Sequence, residues 1–379
     1  MNLSLLLDPL DPDAFAIRSG SGLLGQDLGI FFENLPDYKL ADIALVYVPE
    51  NRGSFSNKHE EIKGHQWRKI LYGLSRIDNR KHIVDLGNLR AGPTLEDTYS
   101  RLEELCATLL SYQTLPVVIG GSHDLSLAQY KGLATHYEWL TIASVDSKIN
   151  MEHEADCDEA SSHVMKTVQL QPNKLYNYVH LAYQSFHTDM EITHLLEKLN
   201  FDHLRLGRLR DDFGRVEPIM RGADMLSFDL EAIRKSDFPA ISRQGFFGLT
   251  AEEACQIAWY AGLSSHMKTA GFYEYNPSLD HDGQSAYVLA TLVWYFLEGY
   301  YNRKADEDFQ TDHFYTFLVD MGVGHQPIHF YKHKYNLRWW MEVQHGTQHR
   351  VIPCDKTDYE QAASGQLPDA YIKALARMQ

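Results

Sequence analysis

The chain has 379 residues and a formal net charge of −16, from 51 acidic and 35 basic side chains. This acidic balance, without a basic stripe, argues against a nucleic-acid partner, because binding nucleic acid depends on Lys and Arg neutralising phosphates. The four cysteines are widely scattered, which argues against a zinc knuckle or a disulfide framework and favours a reducing cytoplasm.

The amino terminus lacks the basic leader and the long apolar core of a signal peptide, and no stretch approaches the length of a membrane span. We therefore expect a cytoplasmic protein with no membrane partner. The composition leaves a homo-oligomer open.

Residues 1–40 are predicted to form an irregular leader, because turn signals occur at Asp8-Pro9 and Asp11-Pro12. Strands and helices alternate after it, up to residue 303. A helix is predicted over 94–112, and Thr250-Ala-Glu-Glu253 has the form of a capping box at the start of another. This alternation predicts an α/β fold with three αβα layers and a mostly parallel sheet.

Three apolar runs end in groups that can bind a cation. The run 115–119 leads through two glycines to His123, the run 139–145 ends at Asp146, and the run from 223 ends at Asp229 and Glu231. Ligands of open α/β sheets lie at the carboxyl ends of strands, and imidazole with carboxylates suits a divalent cation such as manganese. Taken alone, each run is better explained by a polar loop group or a helix cap, so the weight lies on the order and spacing of the three.

The order and spacing of these runs resemble the ureohydrolase family, which includes arginase, agmatinase and formimidoylglutamase. Gly120-Gly-Ser-His-Asp124 is similar to the family's Gly-Gly-Asp-His-Ser, with Ser122 where an acid is usual. Asp146-Ser-Lys-Ile-Asn150 is similar to Asp-Ala-His-x-Asp, and Ser227-Phe-Asp-Leu-Glu231 to Ser-x-Asp-x-Asp. Residues 246–253 and 271–277 resemble two further family segments, so the similarity covers roughly residues 40–300.

The resemblance implies an arginase-like fold and hydrolysis of an amidine or guanidinium carbon through two manganese ions. One ion would be held by His123, Asp146 and Asp229, with Asn150 in place of an aspartate. The other would share Asp146 and Asp229 and add Glu231, but Lys148 replaces its only nitrogen ligand. A protonated lysine cannot coordinate a metal, so we expect at most one manganese site, and the motif also leaves room for none.

Lys148 has two interpretations of its own. Its ammonium could pair with Asp146, Asp229 or Glu231 and offset their mutual repulsion. Alternatively, it points to solvent as a loop residue. We adopt the pairing as the hypothesis to be tested.

Two residues are implied by the resemblance to act on the substrate. Glu274 matches the acid that anchors the substrate's cationic group or departing nitrogen, although a strand-end acid can also cap the turn that follows it. His163 lies near the family's proton-shuttling histidine but lacks the glycine and proline found beside it there. It is equally well explained as an ordinary surface histidine.

Residues 304–379 lie outside the resemblance and form an aromatic-rich extension behind an acidic link, 305–308. A β-hairpin is predicted around residues 334–337. So many aromatic side chains need cover, either from the main domain or from a second subunit.

Two functions remain. The first is hydrolysis of a C–N bond in a small linear amidine, of the formimidoylglutamate or guanidino type, at an impaired metal site. The alternative is a catalytically inactive family member that acts as a binding or scaffold protein.

Overall fold

The computed structural model describes residues 3–15, 22–56, 65–77, 81–153, 157–242, 245–304, 309, 311–322 and 326–378. A ten-stranded sheet occupies the centre of the α/β domain. Its strands are β1 (Leu7–Asp8), β2 (Gly29–Ile30), β3 (Ile43–Tyr47), β4 (Ile83–Leu89), β5 (Leu115–Ile119), β6 (Leu140–Val145), β7 (Leu175–Tyr183), β8 (Asp202–Arg205), β9 (Met225–Asp229) and β10 (Thr269–Tyr273). The helices of the domain are α1 (Gln66–Gly73), α2 (Leu95–Ser111), α3 (Leu125–Ala134), α4 (Glu159–Gln169), α5 (Met190–Lys198), α6 (Leu206–Asp211), α7 (Val216–Arg221), α8 (Ala251–Leu263) and α9 (Gln284–Tyr301).

The strands run in the order β1-β4-β3-β5-β10-β9-β6-β7-β8, with β2 also beside β4. All neighbouring pairs are parallel except β1 and β4. Because the strands are parallel, their carboxyl ends lie at one edge of the sheet. The order places the end of β5 beside β10, then β9 and β6, which brings the predicted site residues to neighbouring positions.

Alternate residues of each central strand are buried against different helical layers. On β3, Ile43 and Leu45 belong to the core shared with α1, α7, α8 and α9, whereas Ala44 and Val46 pack with α2 and α3. A sheet buried on both faces needs apolar residues at successive positions, as the sequence of β3 shows. The predicted three-layer αβα architecture is therefore confirmed.

Local sequence signals set the helix starts. The Thr94 side chain accepts a hydrogen bond from the Asp97 backbone N–H while the Asp97 carboxylate bonds back to Thr94, and Thr250 and Glu253 repeat the arrangement. Each capping box satisfies two backbone N–H groups that the first helical turn leaves without partners. Both predicted helices are confirmed.

The expectation of an irregular leader over 1–40 needs one correction. The described part of the leader is mostly short turns, but it also contributes β1 and β2, which pair with β4. These strands have two residues each, too few for a pattern of alternating hydrophobicity to reveal.

The extension forms a second, antiparallel sheet in the order β11-β12-β13-β14, with two helices on one face. Its elements are β11 (Phe314–Val319), β12 (Ile328–His333), β13 (Trp339–His345), β14 (Gln348–Cys354), α10 (Lys356–Ala363) and α11 (Asp369–Arg377). Strands β12 and β13 form the hairpin predicted around residues 334–337. The predicted acidic link, 305–308, lies outside the described residues.

The extension contacts the α/β domain of its own chain at the amino ends of the strands. Arg221 donates to the carbonyls of Trp339 (3.0 Å) and Cys354 (3.3 Å), and its guanidinium lies 4.2 Å from the Trp340 ring centroid. The carboxylate of Asp202, at the start of β8, accepts from the Lys373 ammonium at 2.7 Å. The extension therefore lies at the edge of the sheet opposite to the predicted site. Across the described part of the chain, no helix is both long and apolar enough to cross a membrane.

Candidate metal centre and active site

The loop between β5 and α3 carries His123 into the site. Gly120 and Gly121 have φ values of +84° and +76°, in the left-handed region that favours glycine. A Cβ on Gly121 would come within 2.7 Å of the Glu50 carbonyl oxygen. The two glycines thus let the chain turn sharply at the end of β5 and direct His123 back over the sheet edge.

His123 lies between the acids that end β6 and β9. Its Nδ1 is 3.3 Å from Asp146 Oδ2 and 3.2 Å from Asp229 Oδ2, and its Nε2 is 2.8 Å from the Ser227 hydroxyl. None of His123, Asp146 and Asp229 is more than 2 % exposed. Three groups predicted to converge are therefore in direct contact at the carboxyl edge.

These contacts shift the pKa values of all three groups. Burial acts to lower the pKa of His123, but the close contacts of its Nδ1 with the Asp146 and Asp229 carboxylates outweigh burial and raise the pKa to about 10. Burial acts to raise the pKa of Asp146, but its interaction with His123 holds that pKa below the ordinary value. Burial and the charge of Asp146 raise the pKa of Asp229. In this arrangement an imidazolium compensates the two acids.

Lys148 does not pair as we hypothesised. Its ammonium contacts the Glu152 carboxylate, four residues along the loop, and its side chain is 27 % exposed. Only its backbone N–H reaches the strand-end acids, donating to Asp146 Oδ1 at 3.0 Å. The hypothesis of an ammonium among the three carboxylates is wrong, because the loop turns the lysine side chain toward a nearer, partly solvated acid.

Asn150 is buried and directed into the site. Its Nδ2 donates to Asp146 Oδ2 at 2.6 Å, the same oxygen that faces His123. The family's carboxylate is thus replaced by a donor that satisfies a lone pair of Asp146. Asn150 and His123 both contact Asp146 Oδ2, an oxygen that could otherwise ligate a cation.

Glu231 and Glu274 are both buried near the strand ends. The Glu231 backbone N–H donates to Asp229 Oδ1 at 2.7 Å. In the described part of the chain, the cluster of possible metal ligands within 4.8 Å of one another consists of His123, Asp146 and Asp229 and does not include the Glu231 carboxylate. Glu274 has a φ of +66°, and its Oε1 accepts from the His123 backbone N–H at 2.8 Å. One oxygen of Glu274 therefore holds the histidine loop in place.

His163 lies on α4 within the site rather than on the surface. Its ring centroid is 4.3 Å from that of His123, and its Nδ1–H donates to the Ala160 carbonyl at 2.8 Å. Burial and the neighbouring charge of His123 hold its pKa well below the usual range. The ring is therefore neutral at neutral pH, with Nε2 as the nitrogen that can accept a proton.

The sequence reasoning missed His180, in the middle of β7. Its Nε2–H donates to the Asp146 backbone carbonyl at 3.2 Å, and its Nδ1 accepts from the Tyr178 hydroxyl at 2.8 Å. Burial lowers its pKa to about 4, so it is neutral. A histidine inside the apolar run 175–183 is the signal that could have revealed this support for the Asp146 backbone.

Among the described residues, His123, Asp146 and Asp229 form a group that could hold a divalent cation. His123, Asp146 and Asp229 each offer a donor atom within 4.8 Å of the others, and an imidazole with two carboxylates is a donor set that manganese accepts. His123 Nδ1 faces both acids and has no hydrogen bond of good geometry in the described structure. A second cation would have only Lys148 where a nitrogen ligand is needed, and that side chain is turned toward Glu152.

The family model described as "Arginase family" matches residues 55–298. Formimidoylglutamase from Hahella chejuensis is 22 % identical over 274 residues, which cover 67 % of this chain and 84 % of that protein. Formimidoylglutamase from Staphylococcus aureus strain MSSA476 is 20 % identical over 239 residues, covering 61 % of this chain and 76 % of that protein.

Two solved structures share the fold. Formimidoylglutamase from Bacillus subtilis gives a TM-score of 0.66 at 16 % identity and covers 77 % of this chain and 98 % of its own. Trypanosoma cruzi formiminoglutamase, solved with two Mn²⁺ ions, gives a TM-score of 0.64 at 19 % identity and covers 78 % of this chain and 100 % of its own.

Proposed function

Because the chain belongs to the arginase family, we propose that it slowly hydrolyses a C–N bond of a small linear amidine, with at most one manganese ion at His123, Asp146 and Asp229. The substrate class is of the formimidoylglutamate or guanidino type. The observation that carries the proposal is the buried contact among these three side chains at the carboxyl ends of β5, β6 and β9. The similarity to formimidoylglutamases supports the choice of substrate class.

A divalent cation in such a site acts as a Lewis acid and makes water a stronger nucleophile at neutral pH. Residues of the chain would orient the reacting group and hold the substrate. Neutral His163, packed against His123, presents Nε2 as a hydrogen-bond acceptor that can orient a reacting group. Glu274 fixes the His123 loop by accepting from the His123 backbone N–H, and its carboxylate carries the charge that suits a cationic amidine group.

Two features of the same site support a low activity. Asn150 donates to the Asp146 oxygen that a cation needs, and Lys148 supplies no ligand. Losing an outer-shell partner alone costs roughly 10–100-fold in metal affinity, and two direct ligands are altered here. A weakly held cation lowers the fraction of active protein at any manganese concentration.

The alternative function, an inactive family member that binds a ligand or a partner, is favoured by one specific observation. The Asn150 amide and the His123 ring already satisfy Asp146 without a cation, and His123, Asp146, Asn150 and Asp229 are each at most 2 % exposed. A site whose carboxylate charges are compensated by protein groups, and whose side chains are buried from solvent, does not require a metal to fold. The alternative therefore predicts a stable protein with no hydrolysis at any manganese concentration.

Turnover assays separate the two functions. Protein supplemented with manganese would be incubated with formimidoylglutamate, arginine and agmatine, and release of formamide or urea would be measured by mass spectrometry. We expect slow, manganese-dependent release from one substrate, reduced by more than about 100-fold in Asp229→Asn, which keeps the size of the side chain but removes a charged ligand. If the wild type releases product no faster than Asp229→Asn with all three substrates, the hydrolase proposal is wrong and the alternative of an inactive binding protein is supported.

A further inference from the structure

A cavity of about 330 Å³ lies between the amino ends of β6–β8 and the helices of the extension. Thr141, near the start of β6, lines it, whereas Asp146 follows the other end of that strand. Five residues of strand span roughly 16 Å, so the cavity is separate from the site around His123. Its volume falls at the lower end of the range of about 300–1,000 Å³ found for small-molecule sites. We call it the seam cavity.

Two buried hydrogen-bond donors line the seam cavity without an acceptor among the described residues, Tyr176 Oη and Arg377 Nε. Both side chains are about nine-tenths buried. Arg377 Nη1 donates to Asn177 Oδ1 at 3.0 Å and to the Asn200 carbonyl at 2.6 Å, so the guanidinium is held in position while its Nε–H has no acceptor. The guanidinium lies 5.3 Å from the Tyr176 ring centroid, which places the two donors on contacting side chains.

Leaving such donors buried without an acceptor is costly, so this part of the cavity favours a ligand that accepts hydrogen bonds. A carboxylate matches best, because it carries two acceptor oxygens and a charge opposite to that of Arg377. The phenolic hydroxyl and the guanidinium Nε–H can each donate to one carboxylate.

The other charges of the seam cavity are mainly acidic. Asp202 is paired with Lys373 at 2.7 Å and lies 3.7 Å from Arg377 Nη1, and Arg215 lies 3.5 Å from Asp355. Two further lining carboxylates, Asp358 in the first turn of α10 and Asp369 at the start of α11, have no ion pair within 4 Å in the described part of the chain. One oxygen of Asp358 accepts from the Asp355 backbone N–H at 3.0 Å, in the capping box of α10. Burial, together with the charges of Asp355 and Asp369, raises the pKa of Asp358 to about 6, although Arg215 and a backbone hydrogen bond act to lower it.

We propose that the seam cavity binds a cationic α-amino acid. The carboxylate of the ligand accepts from Tyr176 and Arg377, and its cationic groups lie toward Asp358 and Asp369. A simple anion would meet the acidic side of the cavity, and a simple cation would leave the two donors without an acceptor. The proposal does not depend on amidine hydrolysis, because the seam cavity and the strand-end site lie at opposite edges of the sheet.

Isothermal titration of the full chain with L-lysine tests the proposal, because L-lysine has no amidine carbon and cannot serve as the substrate proposed above. We expect saturable one-to-one binding. Cadaverine, which lacks the carboxylate, and 6-aminohexanoate, which lacks the α-ammonium, should each bind at least about tenfold more weakly. No saturable binding of L-lysine up to 10 mM, or equal binding of cadaverine, would overturn the proposal.

Two matched variants locate the site. Tyr176→Phe removes only the hydroxyl and should weaken L-lysine binding about tenfold. Tyr130→Phe is the control, because Tyr130 on α3 also has a buried hydroxyl without a partner in the described structure but does not line the cavity. Tyr130→Phe should leave the affinity unchanged. Equal affinities for the two variants would show that L-lysine binds elsewhere.

Discussion

The candidate centre has a retained half, His123, Asp146 and Asp229, and an altered half, Lys148, Asn150 and Glu231, and charge is compensated differently in the two. In the retained half, Asp146 and Asp229 lie at strand ends and His123 lies on the loop after β5. These three side chains contact one another and are at most 2 % exposed. In the altered half, Lys148 lies on the loop after β6 and turns to Glu152, where both side chains are about one-third exposed. Strand ends fix where a charge lies, so it must be compensated locally, whereas a loop can carry an unsuitable charge toward water.

The largest effect should come from removing the compensation in the retained half. His123→Ala leaves Asp146 and Asp229 buried beside each other without an opposite charge, and we expect a loss of about 3–5 kcal/mol in the free energy of unfolding. Urea denaturation followed by circular dichroism would measure it. His123→Gln, which restores a donor but no charge, should recover only part of the loss. A loss below about 1 kcal/mol for His123→Ala would mean that the three groups do not interact as described.

Repairing the altered half should make the protein respond to manganese. Lys148→His, Asn150→Asp and Glu231→Asp together restore the family's ligand types at their positions. Manganese at 100 times its Kd should then stabilise the variant by about 2.7 kcal/mol, measured as a concentration-dependent rise in Tm. The same triple variant with Asp229→Asn is the control and should not respond. A repaired variant that is as insensitive as its control would show that the strand ends are not arranged as a binuclear centre.

Asn150→Asp alone separates the loss of the amide donor from the gain of a ligand. The new carboxylate would replace the 2.6 Å hydrogen bond to Asp146 with repulsion, and without metal we expect a destabilisation of about 1–3 kcal/mol. Lowering the pH should reduce this loss, because protonating the new acid restores a donor. A variant as stable as the wild type in the presence of a chelator would argue against the Asn150 contact.

The smallest effect should come from Lys148→Met. Its partner is the partly exposed Glu152, and exposed ion pairs contribute about 0–1 kcal/mol, so the free energy of unfolding should change by no more than that. Salt should reduce the difference further. A loss of several kcal/mol, comparable to that of His123→Ala, would show that Lys148 pairs with the buried strand-end carboxylates and that the two halves do not differ as described.

Much of the fold follows from local patterns in the sequence. The apolar runs at 115–119 and 139–145 form strands, and the capping residues Thr94 and Thr250 start helices, because these signals act over a few residues. The meeting of His123 with Asp146 and Asp229 was predictable from the rule that parallel strands share a carboxyl edge.

Other contacts depend on tertiary structure and carry no local signal. Glu274 accepts from the backbone of His123, which is 151 residues away in sequence, and Arg221 joins the α/β domain to the carbonyls of the extension. The pair of Lys148 with Glu152 had a local signal, the four-residue spacing, but the loop conformation decides between Glu152 and the strand-end acids. Asn150 accepts at its backbone carbonyl from the Val164 N–H of α4 at 3.1 Å, a contact that also lies beyond local pattern.

Metal content tests the central claim most directly. The protein would be purified without chelator, loaded with excess manganese, dialysed and analysed by inductively coupled plasma mass spectrometry against a protein concentration from amino-acid analysis. One set of three ligands and an altered second set predict less than one tightly held manganese per chain. Two stoichiometric manganese ions per chain after dialysis would contradict the account.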